Sequence, residues 1–212
     1  MPAVNSLREL LVEELRDIYD AEKRLTKALP KISKASSHDE LKSAIDAHLE
    51  ETREHVTRLE QAFDALDTPA RAKTCAAMKG LIEEGDEHAG EDYADAGLKD
   101  AAIIGSAQRV EHYEIAAYGT AIAHAKLLEL DDVVALLEST LEEEKAADSK
   151  LTEIAESVVN LDASAGDSDD EESEENDEPG AGEPARRPAM RMAMSGGKAA
   201  GRAKSGAKAR AR

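Results

Sequence analysis

Leucine, isoleucine and alanine recur every three or four positions over most of the chain, a spacing that predicts amphipathic α-helices. The first helix is predicted over residues 6–35, with Ser6 as its N-cap. Pro30 is expected to bend or interrupt this helix near its end, because proline cannot donate a backbone hydrogen bond. A second helix is predicted over about 39–66 and should stop before Pro69.

The second half of the chain predicts two more long helices, over about 99–127 and 132–159. The stretch between helices 2 and 3, residues 70–97, carries four glycines and is expected to hold one or two short helices broken at them. That connection is long enough to cross the bundle, so helix 3 should run parallel to helix 2. The pattern predicts an all-α fold, a ferritin-like four-helix bundle with a long crossover between helices 2 and 3 and a short extra helix.

Charge divides the 212-residue chain, whose formal net charge is −19, into three parts. Residues 1–160 carry −17 and are predicted to form the helical bundle. Residues 161–183 carry −11 and residues 184–212 carry +9. Both segments are too polar to offset the entropy of ordering them. We therefore expect an acidic disordered linker followed by a basic disordered tail.

The sequence carries no secretory signal and no apolar run of the about 20 residues that a membrane helix needs. The single cysteine excludes an intrachain disulfide and a multi-cysteine zinc site. These features predict a soluble, cytoplasmic protein that does not bind membranes.

Acidic residues interrupt the apolar faces of the four long helices near their middles. Glu22 takes such a position in helix 1, Glu111 and Glu114 in helix 3, and Glu144 in helix 4, while Glu51 lies beside the stripe of helix 2. Burial of one unpaired carboxylate costs several kcal/mol, so several at one level need compensation. A pair of divalent cations would supply it, and an oxygen-rich ligand set suits Fe or Mn, with Zn also compatible.

Each of these residues also has a simpler interpretation. The chain is rich in glutamate, and a glutamate at the boundary of a helix face usually reaches solvent. His48 and His55 lie in the stripe of helix 2, where a histidine is more often a satisfied core group than a metal ligand. Agreement among four helices favours the metal hypothesis over a set of unrelated surface acids.

Several segments of the chain resemble the YciF-like family of ferritin-like proteins over roughly residues 6–157. They are DIYDAEKRLTKALPK, AHLEETREHVTRLEQAF, MKGLIEEG, SAQRVEHYEIAAYGTAIA and LLESTLEEEKAADSKLTEIAE, in that order. The resemblance implies a relative of rubrerythrin and bacterioferritin, built as a helical bundle with a dinuclear metal site. Its EHYE segment resembles the Glu-x-x-Glu of the third helix of rubrerythrins.

The resemblance implies, by position, metal ligands at Glu22, Glu51, Glu111 or Glu114, and Glu144. The broader di-iron pattern has Glu-x-x-His on two helices. This chain departs from it, because the third residue after Glu51 is a glutamate and the third after Glu144 is an alanine. His55 follows Glu51 by four residues, and Asp148 follows Glu144 by four, so both lie on the same helix faces as those glutamates and complete the predicted ligand set. That set is Glu22, Glu51, His55, Glu111, Glu114, Glu144 and Asp148.

Two functions stay open at this point. The first is a protein of the stress response that binds two divalent metal ions, Fe or Mn, and reacts with peroxide or dioxygen. The alternative is a non-catalytic helical scaffold that binds a partner. A homodimer is expected in either case. Residues 184–212 could contact nucleic acid weakly and without sequence specificity, or could serve as a solubilising arm that pairs with the acidic linker.

Overall fold

The structure is a computed structural model that describes residues 3–171, with side chains described through residue 165. All regular secondary structure in this part of the chain is helical, so the all-α prediction is confirmed. The helices are α1 (Leu7–Ala35), α2 (Asp39–Ala65), α3 (Ala76–Gly90), α4 (Ala96–Leu127), α5 (Asp131–Ile154), a π-helical turn (Ala155–Val159) and α6 (Asn160–Glu171). No helix among these residues is long and apolar enough to cross a membrane.

The four long helices form a bundle in the spatial order α1, α2, α5, α4, in which each packs against its two neighbours. α3 belongs to the crossover and packs against α1 and α4. Asp100, near the start of α4, binds the backbone at the start of α2. These two helices therefore begin at the same end of the bundle, which confirms that the crossover makes them parallel.

The expected interruption at Pro30 is wrong, because α1 continues through Pro30 to Ala35. Pro30 is exposed, and the helix loses one backbone hydrogen bond there because proline has no N–H. Ile32, two residues further on, packs against the apolar core and keeps this part of the chain helical. Ser6 caps the helix as predicted, with its hydroxyl accepting a hydrogen bond from the Glu9 amide at 3.1 Å.

The glycine breaks predicted in the crossover are also wrong in part. α3 runs through both Gly80 and Gly85, and Gly97 lies inside α4. A glycine inside a helix costs only about 1 kcal/mol relative to alanine, so packing can override it. Gly97 has a packing reason of its own, since a Cβ there would come within 2.9 Å of the Ala163 backbone nitrogen.

Helical structure extends past residue 160 into the segment predicted to be a disordered linker. α6 covers residues 160–171, so the predicted boundary is corrected by about three turns. Val159 and Ala163 are buried, and α6 packs against α4 at Gly97, so local apolar contacts support this extension. The rest of the predicted linker and the predicted basic tail lie outside the described residues.

Three apolar clusters fill the described structure, of which two lie at the ends of the four-helix bundle with polar residues between them, and the third joins α3 to α1 and α4. One cluster, with Leu15, Phe63 and Tyr118, fills the end where α2 finishes. The other, with Ile45 and Ile104, fills the end where α2 begins. The carboxylates singled out in the sequence fall between these clusters along the helices.

Asp100 supplies the N-terminal cap that α2 lacks from its own residues. Its carboxylate is 2% exposed and accepts hydrogen bonds from the amides of Ser37 (2.9 and 3.1 Å) and His38 (2.7 Å). Asp100→Ala removes the partner of these part-buried donors and is expected to lower the free energy of unfolding by about 0.5–2 kcal/mol, the range for loss of a helix cap. Urea unfolding checks this value. Asp46→Ala, an exposed change on α2, is the control, and equal losses in the two variants would refute the capping role.

Candidate metal centre

A layer of six buried acidic and imidazole side chains crosses the middle of the bundle. None of them is more than 7% exposed. Each long helix contributes because its inward face, mostly apolar elsewhere, carries acidic or imidazole side chains at this level. The residues are Glu22 of α1, His48 and His55 of α2, Glu111 and Glu114 of α4, and Glu144 of α5.

The layer consists of two groups that share one carboxylate. One group is His48, Glu111, Glu114 and Glu144, and the other is Glu22, His55 and Glu144. Within each group, one ligand atom from every residue lies within 4.8 Å of the others. A carboxylate common to both groups can bridge two cations, so the arrangement fits a dinuclear centre.

Most of the carboxylate oxygens in this layer lack a hydrogen-bond partner among the described residues. Both oxygens of Glu114 and both of Glu144 are buried and unpaired, as are Oε2 of Glu22 and Oε2 of Glu111. The hydroxyl of Tyr118 donates to Oε1 of Glu22 at 2.5 Å. Buried polar atoms in proteins are almost always paired. Six such oxygens in one layer, one of them 3.1 Å from His55 Nδ1, could be satisfied by protons or by cations.

The two histidines share one arrangement, in which one ring nitrogen faces the layer and the other faces an outer carboxylate. His55 Nδ1 lies 3.1 Å from Glu144 Oε1, and its Nε2 lies 2.8 Å from Glu143 Oε2. Arg58 in turn holds Glu143 through both carboxylate oxygens. Metal-bound histidines commonly donate their second N–H to a carboxylate, which fixes the tautomer.

His48 repeats this arrangement more loosely. Its Nε2 lies 3.5 Å from Glu111 Oε1 and 3.8 Å from Glu144 Oε2, while its Nδ1 lies 3.5 Å from Glu51 Oε2. Glu51 therefore faces the outer ring nitrogen of His48, just as Glu143 faces the outer ring nitrogen of His55. Each imidazole is positioned to offer one nitrogen to a metal ion.

Without a metal, the electrostatics of the layer favour protons. Burial, reinforced by Glu22 and Glu144, raises the pKa of Glu114 well above its ordinary value. Burial alone would lower the pKa of His55, but Glu144 and Glu22 outweigh it and raise that pKa to about 10. In the same way, Glu111 and Glu51 outweigh burial and raise the pKa of His48 to about 9. Protons thus occupy sites that cations would take.

The metal-free protein is expected to lose stability as the pH rises. His48 and His55 have folded-state pKa values above the ordinary 6.5, so their contribution is complete below pH 6.5 and is lost as the pH passes about 9 and 10. The raised pKa of Glu114 acts in the same direction, starting from about pH 4.5. Urea unfolding of chelator-treated protein between pH 6 and 10 measures the slope.

His55→Gln is expected to reduce this slope, whereas His112→Gln, at a side chain 70% exposed, should leave it unchanged. A flat profile for the wild-type protein would contradict the electrostatic description of the layer.

The structure brings together five of the seven predicted ligands and leaves two outside. The five are Glu22, His55, Glu111, Glu114 and Glu144. Glu51 is 47% exposed and contacts the outer nitrogen of His48. Asp148 accepts a hydrogen bond from the Gln108 side chain at 3.2 Å and lies 3.4 Å from His112 Nε2. The family resemblance implies Glu51 as a ligand, and the four-residue spacing from Glu144 implies Asp148. Neither criterion separates a ligand from a residue one side chain further out.

His48 joins the layer although it was not in the predicted ligand set. It lies seven residues before His55, two helical turns away, so both rings project from the same face of α2. The signal in the sequence is its spacing of seven residues from His55, with the acidic residue Glu51 one turn further on.

The helix order and the shared carboxylate–histidine layer define this chain as a ferritin-like four-helix bundle with a candidate dinuclear metal centre. The chain belongs to the YciF-like family, described as a domain of unknown function (DUF892), whose sequence pattern matches residues 6–164. It is 42% identical to protein YciF of Escherichia coli over 158 residues, which cover 74% of this chain and 95% of that protein.

Solved structures agree with this assignment. The crystal structure of the E. coli stress protein YciF matches with a TM-score of 0.71 over 74% of this chain and 99% of that one. YcfI of Rhodopseudomonas palustris, 47% identical, matches with a TM-score of 0.69 over 71% of this chain and 96% of its own. A protein of Xanthomonas campestris, 22% identical, shares the fold with a TM-score of 0.60 over 77% of this chain and 99% of its own.

Proposed function

We propose that this chain binds two divalent metal ions, Fe(II) or Mn(II), in the layer between its four helices. The observation that carries the proposal is the set of six buried carboxylate oxygens that make no hydrogen bond among the described residues. One ion would be held by His48, Glu111 and Glu114, the other by Glu22 and His55, with Glu144 shared. Carboxylate ligands with one imidazole per ion suit Fe and Mn, and Zn would also be accepted.

A groove of about 700 Å³ between α2 and α5 offers cations a path to the layer. His48 and Glu111 lie on its inner wall. Asp39, Glu40 and Glu153 lie along it further out. Lys150 also lines the groove and pairs with Glu153, but the carboxylates outnumber this one cation. The net negative charge raises the local concentration of cations and so favours metal uptake.

We further propose that the centre consumes an oxidant, peroxide or dioxygen, during stress. Two bound ferrous ions would supply the two electrons that, with two protons, reduce hydrogen peroxide to two waters. The chain's own residues would position this chemistry: Tyr118 holds Glu22 by its hydrogen bond, and Glu143 orients His55. The description of E. coli YciF as a stress protein supports this role.

The proposal is tested with chelator-treated full-length protein. Titration with Mn(II) or Fe(II) should end at two ions per chain and raise the midpoint of thermal unfolding, because only the folded state has the complete site. Iron-loaded protein should then consume hydrogen peroxide faster than free Fe(II) at the same concentration. No binding at either group would refute the metal centre, and binding without peroxide consumption would refute the oxidant chemistry alone.

A second candidate function is a non-catalytic scaffold that assembles as a homodimer. YcfI, with which this chain shares 47% identity, is provisionally described as a structural protein. Under this function, chelators and added metal would leave the midpoint of thermal unfolding unchanged. The same titration therefore separates the two candidates.

A further inference from the structure

A second path, different in character from the acidic groove, reaches the same layer of carboxylates. A cavity of about 50 Å³ lies between α1, α3 and α4, with Ile45 of α2 at its inner side. Its walls are apolar apart from Ser106 and Glu111. The lining residues are Leu25, Ala28, Leu29, Ile32, Ile45, Leu81, Ile82, Gly85, Ile103, Ser106, Ala107, Val110 and Glu111.

The cavity offers almost no hydrogen bonds to a guest. The hydroxyl of Ser106 donates to the carbonyl of Ala102 in its own helix at 3.0 Å, which leaves Glu111 as the polar group at the wall. The cavity is partly open, but Glu111 alone offers a water fewer than the two to four polar partners that hold a water in place. Apolar cavities of this kind take up xenon or small hydrocarbons. A small apolar guest is therefore favoured here over water or hydrogen peroxide.

Glu111 connects this cavity with the candidate metal centre. It lines both the apolar cavity and the acidic groove, and it belongs to the group with His48, Glu114 and Glu144. Its Oε2 is buried and unpaired. A guest in the cavity would thus lie beside a ligand of the centre without passing through the groove that serves cations.

We infer that this cavity is a binding site for dioxygen, which it holds next to the metal centre. Dioxygen is small, apolar and uncharged, and it loses little hydration on entering such a space, whereas hydrogen peroxide would lose hydrogen bonds that the walls do not replace. The inference rests on the proposed function, since it names the oxidant that reaches the centre from this side. Leu81 and Ile82 are only partly buried, so the cavity lies close beneath the surface of α3.

Gly85 provides a means of filling the cavity without disturbing the fold. A Cβ added there would lie 3.8 Å from Ile32 Cδ1 and 3.9 Å from Ser106 Cβ, both ordinary van der Waals distances. Gly85→Ala also gains helix propensity worth about 0.5–1 kcal/mol. Gly80→Ala is the matched control, because it makes the same change in the same helix with no atom within 4 Å of the new Cβ.

The experiment measures xenon binding to the full-length, metal-free protein by ¹²⁹Xe NMR, with a crystal under xenon pressure to place the atom. Xenon should occupy the cavity in the wild-type protein and in Gly80→Ala, and it should be lost in Gly85→Ala. Both variants should unfold at or above the wild-type temperature. Absence of xenon from the wild-type cavity, or full occupancy in Gly85→Ala, would overturn the inference.

A second measurement uses protein loaded with ferrous iron. Gly85→Ala should slow oxidation of the iron by dioxygen and leave its oxidation by hydrogen peroxide unchanged, with Gly80→Ala like the wild type in both. Equal slowing with both oxidants would contradict a dioxygen site. Xenon binding requires no metal, so a protein that takes up xenon but no metal contradicts the proposed function, and one that binds metal but no xenon contradicts this inference.

Discussion

Glu144→Ala is expected to abolish binding of both metal ions, whereas Glu22→Ala should leave one ion bound. Glu144 is the residue common to both groups of candidate ligands, and Glu22 belongs to only one. Both oxygens of Glu144 are buried and make no hydrogen bond of good geometry. Oε1 lies 3.1 Å from His55 Nδ1 and Oε2 lies 3.8 Å from His48 Nε2, so the carboxylate stands between the two groups. Metal analysis after equilibrium dialysis against Mn(II) gives the number of ions per chain.

The control for this experiment is Glu142→Ala, two positions earlier in the same helix. The side chain of Glu142 is 74% exposed and pairs only with the surface residue Lys145 among the described residues. It should retain the wild-type number of ions. A loss of helical circular dichroism in Glu144→Ala would show misfolding, in which case Glu144→Gln, which keeps the shape of the side chain, replaces it. Retention of two ions in a folded Glu144 variant would rule out a bridging role.

Glu114→Met is expected to raise the stability of the metal-free protein and to lower the stability gained from metal. Glu114 is 1% exposed and neither of its oxygens has a hydrogen-bond partner in the described structure. Replacement of buried ionic groups by apolar side chains of similar volume is often neutral or stabilising by about 1–4 kcal/mol. The increase should be clearest at high pH, because burial raises the pKa of Glu114 and its ionised form is the costly one.

Urea unfolding with chelator and with excess Mn(II) measures both effects in one series. Glu142→Met, at the exposed position, should change neither quantity. If Glu114→Met destabilised the metal-free protein at every pH, the carboxyl group would have to make favourable contacts. The claim that burial of these carboxylates costs stability when no metal is bound would then be wrong.

The sequence alone locates the candidate site along each helix to within one turn, but it does not identify which residues at that level are ligands. An acid on an otherwise apolar helix face is visible in the sequence, which is how Glu22, Glu111 and Glu144 were identified. A three- or four-residue step places two side chains on the same face without fixing their depth. Asp148 and Glu51 lie on the expected helix faces, but neither reaches the layer of candidate ligands. Asp148 contacts the Gln108 side chain, and Glu51 contacts the outer nitrogen of His48.

Departures in the fold had a similar origin. Pro30, Gly80 and Gly85 favour helix ends by local preference, yet each lies inside a helix here. A glycine costs about 1 kcal/mol of helix propensity and a proline costs one hydrogen bond. Burial of the neighbouring apolar groups outweighs both costs. The extension of helix beyond residue 160 likewise depends on Ala163 meeting Gly97 across the fold.

By itself, the sequence determined the helices, their order, the long crossover and the level at which carboxylates enter the interior, because all of these follow from periodicity along one chain. Tertiary structure alone decided that Glu144 lies in both groups, that His48 faces inward, and that an apolar cavity ends at Glu111. Those features depend on the rotation of each helix about its axis and on distances between helices, which contacts between distant residues set.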